Sequence, residues 1–258
     1  MKDQYRTIAC CIDRDEMTDA VIAEGVLLAA GDLTRLRIVH VVAPPRAVVS
    51  GAFAYVAPLW ETVDDGRAFV EEIAATLPGS QPVLLEGAPV RAVTEWLERE
   101  GVDVVVAAAS RGRVERALLG GFASHLAYHA PCSVLLARHG YDPDRFPARV
   151  VVGLDGSPES RAALALAADV SRRSGGTLVV VTAGHDQEQA VAALDGLDAP
   201  HDHVASPDRP VDAIVTAART ADLTVVGSRG LHGASALGSV SERVVYRAES
   251  SVLVVRPG

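Results

Sequence analysis

The sequence predicts an α/β protein of two tandem domains, each a five-stranded, mainly parallel sheet with helices on both faces. Three observations carry that expectation. Short β-branched runs alternate with helical stretches, the strands read as nearly continuous apolar runs, as strands buried on both faces do, and the chain is written twice. "ASRGRVERALLGGFASHLAYHAPCSVLLAR" (Ala109 to Arg138) lies without a gap over "GSRGLHGASALGSVSERVVYRAESSVLVVR" (Gly227 to Arg256), at an offset of 118 that sets Ser110 on Ser228 and Tyr128 on Tyr246. The openings "TIACCIDRDEMTDAV" and "RVVVGLDGSPESRAA" match at an offset of 142, Asp13 on Asp155, so the second copy is 24 residues shorter in its middle. Self-similarity of this kind marks a duplicated domain. The polar, proline-bearing join "RHGYDPDRFPAR" places the boundary between residues 1–142 and 143–258.

In the second half the strands fall near Val150–Leu154, Leu178–Val181, His203–Ala205, Leu223–Val226 and Val252–Val255, with helices in the longer gaps except after the second strand. The first strand ends in "GLDGSP", with Asp155 at its tip and Ser157-Pro158 reading as an N-cap followed by proline at the first helical position. "SGGT" (Ser174 to Thr177) precedes the second strand and reads as a helix-to-strand turn. The fourth strand runs into "VVGSRGLHGASALGS" (Val225 to Ser239), which holds four glycines. In "GSVSE" Ser239 and Glu242 have capping-box spacing, so a helix is expected to start there.

In open parallel sheets ligands bind beyond the carboxyl ends of the strands, where the strand order reverses. If the first and fourth strands are neighbours at that reversal, Asp155 and the glycine loop face one crevice. The carboxylate suits ribose hydroxyls or a base, while bare amides and a helix N-terminus suit phosphate oxygens. Glycines also serve tight strand-to-helix turns, although four and a capping serine exceed what a turn requires. The spacing Gly227-x-x-Gly230-x-x-Gly233 is not the dinucleotide fingerprint, which disfavours a nicotinamide enzyme.

Composition narrows the classes further. A formal charge of −9 disfavours nucleic acid and anionic membrane. The one lysine, Lys2, leaves no P-loop lysine and no Schiff-base chemistry. No apolar run approaches the ~20 residues of a membrane span, and the opening "MKDQYR" lacks a signal-peptide pattern, so a cytoplasmic protein is expected. Cys10, Cys11 and Cys132 fit buried thiols better than a disulfide framework or zinc site. His125 and His129 stand four apart on a predicted helix without the HExxH glutamate, and their repeat mates are Arg243 and Arg247, so a solvated face is expected there. His185, His201 and His203 read as surface histidines, and no metal site is assigned. The uncharged run "AVVSGAFAYVAPLW" (Ala47 to Trp60) reads as a lid, a partner surface or local packing.

"GLDGS", "VVGSRG", "GSVSERV" and the closing "SVLVVR", in that order, resemble the universal stress protein family, and the resemblance covers both halves. It implies Rossmann-like domains in which some members bind ATP through G-x2-G-x9-G-[S/T]. Carried over, Gly230, Gly233, Gly238 and Ser239 fall near the phosphates with Val240 beside them, Gly227 near the ribose, Asp155 on ribose or adenine, and Thr182 near the base. Seven residues separate Gly230 from Gly238 where the pattern has nine. The first half departs further: Ala109 replaces the glycine, Gly121 replaces the serine, and Arg113 and Arg116 crowd the loop. Asp13, Val41, Gly112 and Gly120 remain as a weaker candidate site, and a structural partner is the expected reading of that half.

The resemblance also implies that the last strands, "SVLLAR" and "SVLVVR", pair across a dimer axis. A tandem chain can make that pairing internally as a pseudo-dimer, with a homodimer as a further arrangement. The function expected is an adenine-nucleotide-binding stress regulator or sensor, using ATP with or without Mg²⁺. A scaffold that binds no nucleotide is the alternative. An ATP hydrolase is disfavoured, because Asp155 would stand at the nucleoside end and no base or paired carboxylates stand near the phosphates.

Overall fold

A computed structural model describes residues 5–43, 47–50, 53–56, 61–109, 121–138, 145–184, 187–228 and 238–256. The first half runs β1 (Ile8–Cys11), α1 (Thr18–Ala29), β2 (Leu36–Val42), β3 (Ala47–Ser50), β4 (Phe53–Val56), α2 (Val63–Ala75), β5 (Gln81–Glu86), α3 (Pro89–Glu100), β6 (Val104–Ala108), α4 (Gly121–His129) and β7 (Ser133–Ala137). The second runs β8 (Arg149–Gly153), α5 (Pro158–Ser174), β9 (Thr177–Ala183), α6 (Glu188–Ala192), β10 (His201–Ser206), α7 (Pro210–Ala218), β11 (Leu223–Gly227), α8 (Ser239–Arg247) and β12 (Ser251–Val255). All five strands expected of the second half are present. The short α6 follows its second strand, where no helix was expected, and β3 and β4 form a separate antiparallel pair in "AVVSGAFAYVAPLW".

Each half contributes five parallel strands, and the halves share a single ten-stranded sheet in the order β10-β9-β8-β11-β12-β7-β6-β1-β2-β5. The order reverses between β8 and β11 and again between β1 and β6, which are neighbours in parallel register (Leu223 beside Val150, Ile8 beside Val104). Alternate side chains divide the core into two layers. Ile8, Val150 and Leu253 pack on one face with α1, α2 and α5, while Ala9, Val151 and Val254 pack on the other with α3, α4, α7 and α8. Both layers run through both halves, so the repeats share one continuous core.

The helix ends follow local chemistry. Ser157 caps α5 by accepting from the Ser160 amide at 3.2 Å, Pro158 opens the helix, and Gly175 closes it at φ 69° within "SGGT". Thr62 and Asp65 form a reciprocal capping box on α2.

The halves meet where β12 pairs antiparallel with β7, Val252 opposite Leu136 and Val254 opposite Val134. Every residue of both strands is buried. A reciprocal exchange locks the junction. Arg138 donates through Nη1 to the carbonyls of Ala248 (2.9 Å) and Ser250 (2.8 Å) and through Nη2 to Val245 (2.6 Å), while Arg256 reaches Ala127, Ala130 and Cys132. Each arginine thus satisfies the orphan carbonyls at the C-terminus of the other half's last helix, where a cation also suits the helix dipole. Ser251 and Ser133 accept from the Arg138 and Arg256 amides at 3.0 and 3.1 Å. On the opposite face of the junction the Ser251 hydroxyl donates to the fully buried Glu24 at 2.6 Å.

Candidate functional site: paired strand-tip cavities

The second half holds a cavity of about 330 Å³ at the carboxyl ends of β8 and β11. Asp155, Gly227, Gly238, Ser239 and Val240 all line it. Asp155 is held in place by its own turn, its Oδ1 accepting from the Ser157 amide at 3.0 Å and the Ser157 hydroxyl at 2.6 Å. Val181 and Ala183 form part of the wall. Thr182 lies between them and faces the other side of the sheet, buried, with its hydroxyl bonded to Gln187 and to His203 Nε2. Its expected place beside a base is therefore corrected: strand alternation turns it away from the cavity. Gly230 and Gly233 lie outside the described residues.

The two described glycines of the loop differ in kind. A Cβ on Gly227 would stand 2.5 Å from the carbonyl carbon and oxygen of Glu159, so the first turn of α5 rests directly on the end of β11 and excludes any side chain there. Among the described residues, a Cβ on Gly238 would meet only Ser241 Oγ, at 3.9 Å. Gly238 is extended, φ −66° and ψ 152°, and needs no glycine for its backbone.

Helix α8 starts at Ser239, as the sequence suggests, but the expected capping box is not formed. Gly238 occupies the N-cap position and no side chain caps the helix. Glu242 instead accepts from the Tyr128 hydroxyl on α4 of the other half, and the Ser241 hydroxyl donates to the Gly227 carbonyl at 2.8 Å. The first-turn amides of α8 lack intrahelical acceptors by geometry, and they border the cavity.

The first half has a corresponding cavity of about 250 Å³, lined by Asp13 and Val41 together with Asp15, Cys11, His40 and Phe122. Gly112 and Gly120 lie outside the described residues. Phe122 and Ala123 stand where the second cavity has Val240 and Ser241, which removes a hydroxyl and adds bulk. Arg14 replaces Gly156. Its guanidinium lies 4.4 Å from the centre of Phe69 and donates to Glu61 at 2.8 Å. His40, buried at 2 % exposure, joins Ile12 O at 3.1 Å through Nδ1 and Glu61 Oε2 at 2.7 Å through Nε2. Burial alone would raise the Glu61 carboxyl, but hydrogen bonds from His40 and Arg14 outweigh it and hold the group below its ordinary range. Sequence reasoning missed this cluster; its one visible signal was a histidine inside the apolar strand "LRIVHVV".

Other candidates remain apart. His201 joins Ala199 O at 2.8 Å, His185 lies outside the described residues, and no group of three metal-ligating side chains occurs among the described residues. Cys10, Cys11 and Cys132 are free thiols, and burial pushes Cys10 and Cys132 up to about 12.

The sequence profile of the universal stress protein family matches residues 4–138, 148–206 and 184–256. The chain belongs to the universal stress protein family. It is a tandem member, since the profile matches in both halves. A universal stress protein of Mycobacterium tuberculosis is 35 % identical over 203 residues, covering 67 % of this chain and 68 % of its own. A second from that organism is 33 % identical over 224 residues, 75 % of each chain. The crystal structure of a putative universal stress protein from Pseudomonas aeruginosa superposes with a TM-score of 0.72 at 19 % identity, covering 98 % of this chain and 94 % of that one, and so shares the fold. Among the described residues of this family member, no helix is long and apolar enough to cross a membrane.

Proposed function

We propose that the protein is a stress-response regulator that binds an adenine nucleotide in its second-half cavity. The observation that carries the reading is the meeting of three features in one space: the Asp155 carboxylate at the tip of β8, the uncapped first turn of α8, and volume beside Gly238 that no described residue fills. A carboxylate suits ribose hydroxyls. Uncapped amides at a helix N-terminus suit phosphate. The residues present therefore fit such a ligand, with Gly238, Ser239 and Val240 at its phosphate end and Asp155 at its nucleoside end. ATP, with or without Mg²⁺, is the nucleotide proposed, and its role is that of a bound signal. The first cavity, narrowed by Phe122, belongs to the half proposed as partner.

Gly227 favours a second reading, a scaffold that binds no nucleotide and acts by association, because packing against Glu159 accounts for that glycine without a ligand. Mass spectrometry of the freshly purified, denatured protein, followed by calorimetric titration of nucleotide-free protein with ATP, separates the two. Co-purifying adenine nucleotide and one saturable ATP equivalent are expected. Neither appearing would reject nucleotide binding in favour of the scaffold, and steady release of phosphate would make the protein an ATPase.

A further inference from the structure

The face of α4 that carries His125 and His129 is unlike its counterpart in the second half. On α8 the same positions hold Arg243 and Arg247, and the Arg247 guanidinium is paired with Asp212 at 2.8 Å. On α4 the two imidazole ring centres lie 4.5 Å apart with their planes tilted by 38°. Among the described residues neither ring has a hydrogen-bonding partner. His129 is exposed and His125 half-buried, so the pair is open to small solutes.

The spacing has a chemical reading. Histidines four residues apart on a helix project from one face and can share a cation. A metal ~2.0 Å from one nitrogen of each ring stands ~3.2 Å from each ring centre, so a right-angled pair of ligands sets the centres ~4.5 Å apart and a tetrahedral pair ~5.2 Å apart. The observed 4.5 Å equals the right-angled value once one nitrogen of each ring is turned to a common point. Tetragonal coordination by nitrogen is the preference of copper(II) and nickel(II), whereas structural zinc is tetrahedral.

We propose that His125 and His129 form a two-imidazole chelate for a divalent transition cation of the copper(II) or nickel(II) class. No third metal-ligating side chain joins the pair among the described residues, so water completes the shell. The protein's net charge of −9 concentrates cations near its surface. A cation held there would tie two successive turns of α4, a helix that lines the first cavity with Phe122 and Ala123 at one end and is held by Arg256 at the other.

Calorimetric titration of the full chain with nickel chloride and with copper chloride tests the proposal, with His125→Asn, His129→Asn, the double variant and His201→Asn as a control. One saturable equivalent is expected, with affinity lowered about tenfold or more by either single substitution, lost in the double variant and unchanged in the control. Copper electron paramagnetic resonance supplies a second readout, with the nitrogen couplings of two imidazoles falling to one in each single variant. Nickel should also raise the melting temperature of the parent and leave that of the double variant unmoved. Absence of a saturable equivalent, or equal binding by parent and double variant, would overturn the chelate. His129→Asn alters an exposed side chain, so a folding defect in the other variants leaves the test intact.

Discussion

The two halves carry the same five-stranded frame and differ where that frame meets solvent at the strand tips. In the second half, serine, glycine and valine surround a cavity bordered by an uncapped helix. In the first, Phe122 intrudes and an Arg14–Glu61–His40 cluster ties the start of α1 to the segment leading into α2. The sheet and its junction are alike in both copies, while the chemistry at the crevice has diverged. Helix α1 starts two residues later in register than α5, and the neighbouring strand position holds Ala109 in place of Gly227.

Four predictions test how far the halves differ. The largest effect is expected where the halves are alike. Arg138→Ala strips three carbonyls of their buried donor and should cost ~3 kcal/mol of stability in urea denaturation. A loss within experimental scatter would show that the exchange at the junction is ornamental.

Next comes a position where the halves differ for packing reasons. Gly227→Ala forces a methyl into the Glu159 backbone and should destabilise by ~2 kcal/mol, whereas Ala109→Gly should cost only ~1 kcal/mol from lost packing and a looser chain. Equal losses in chemical denaturation would mean that both positions face the same steric limit.

The third concerns binding. Gly238→Val places its side chain where no described residue crowds it and without backbone strain, so it should leave the melting temperature nearly unchanged and weaken ATP binding at least about tenfold, or ~1.4 kcal/mol. Gly120→Val, its repeat mate, should alter ATP affinity little. Calorimetry showing equal losses would make the two halves equivalent.

The smallest effect is electrostatic. Because the folded-state pKa of Glu61 is depressed, its stabilisation is present above the unfolded carboxyl value of about 4.3 and is lost as pH falls through the folded value. Glu61→Gln should therefore cost up to ~1 kcal/mol at neutral pH, and the two proteins should converge as pH drops below about 4. A gap that persists at acid pH would point to packing instead of charge.

The sheet was legible because β-branched runs such as "RVVVG" and "SVLVV" have few other uses, and the repeat offset supplied the order of the halves. Ser157-Pro158 was legible because a cap acts within three residues of itself. Ser239 and Glu242 have the same local signature, yet Glu242 bonds to Tyr128, 114 residues away, and tertiary contact overrides the local pattern. Gly227 illustrates the opposite blindness: glycine at a strand end serves ligand approach and helix approach alike, and only the position of Glu159 separates the two. Thr182 was placed on the correct strand and on its wrong face, since a one-residue step reverses the side chain. The pair β3 and β4 was hidden because eight residues of strand within an uncharged run give no partner by pattern alone.

The antiparallel pairing of β7 with β12 has a consequence for how such a protein changes over generations. Two separate chains meeting through this surface would lose translational and rotational freedom worth about 4 kcal/mol or more, and would come apart on dilution. Within one polypeptide the meeting is independent of concentration and the stoichiometry is fixed. A homodimer also receives every mutation twice, once at each copy, so a change that ruins one crevice ruins both. Fusion lifts that constraint: Phe122 and Arg14 arise in one copy alone, facing a neighbour whose own crevice stays as it was.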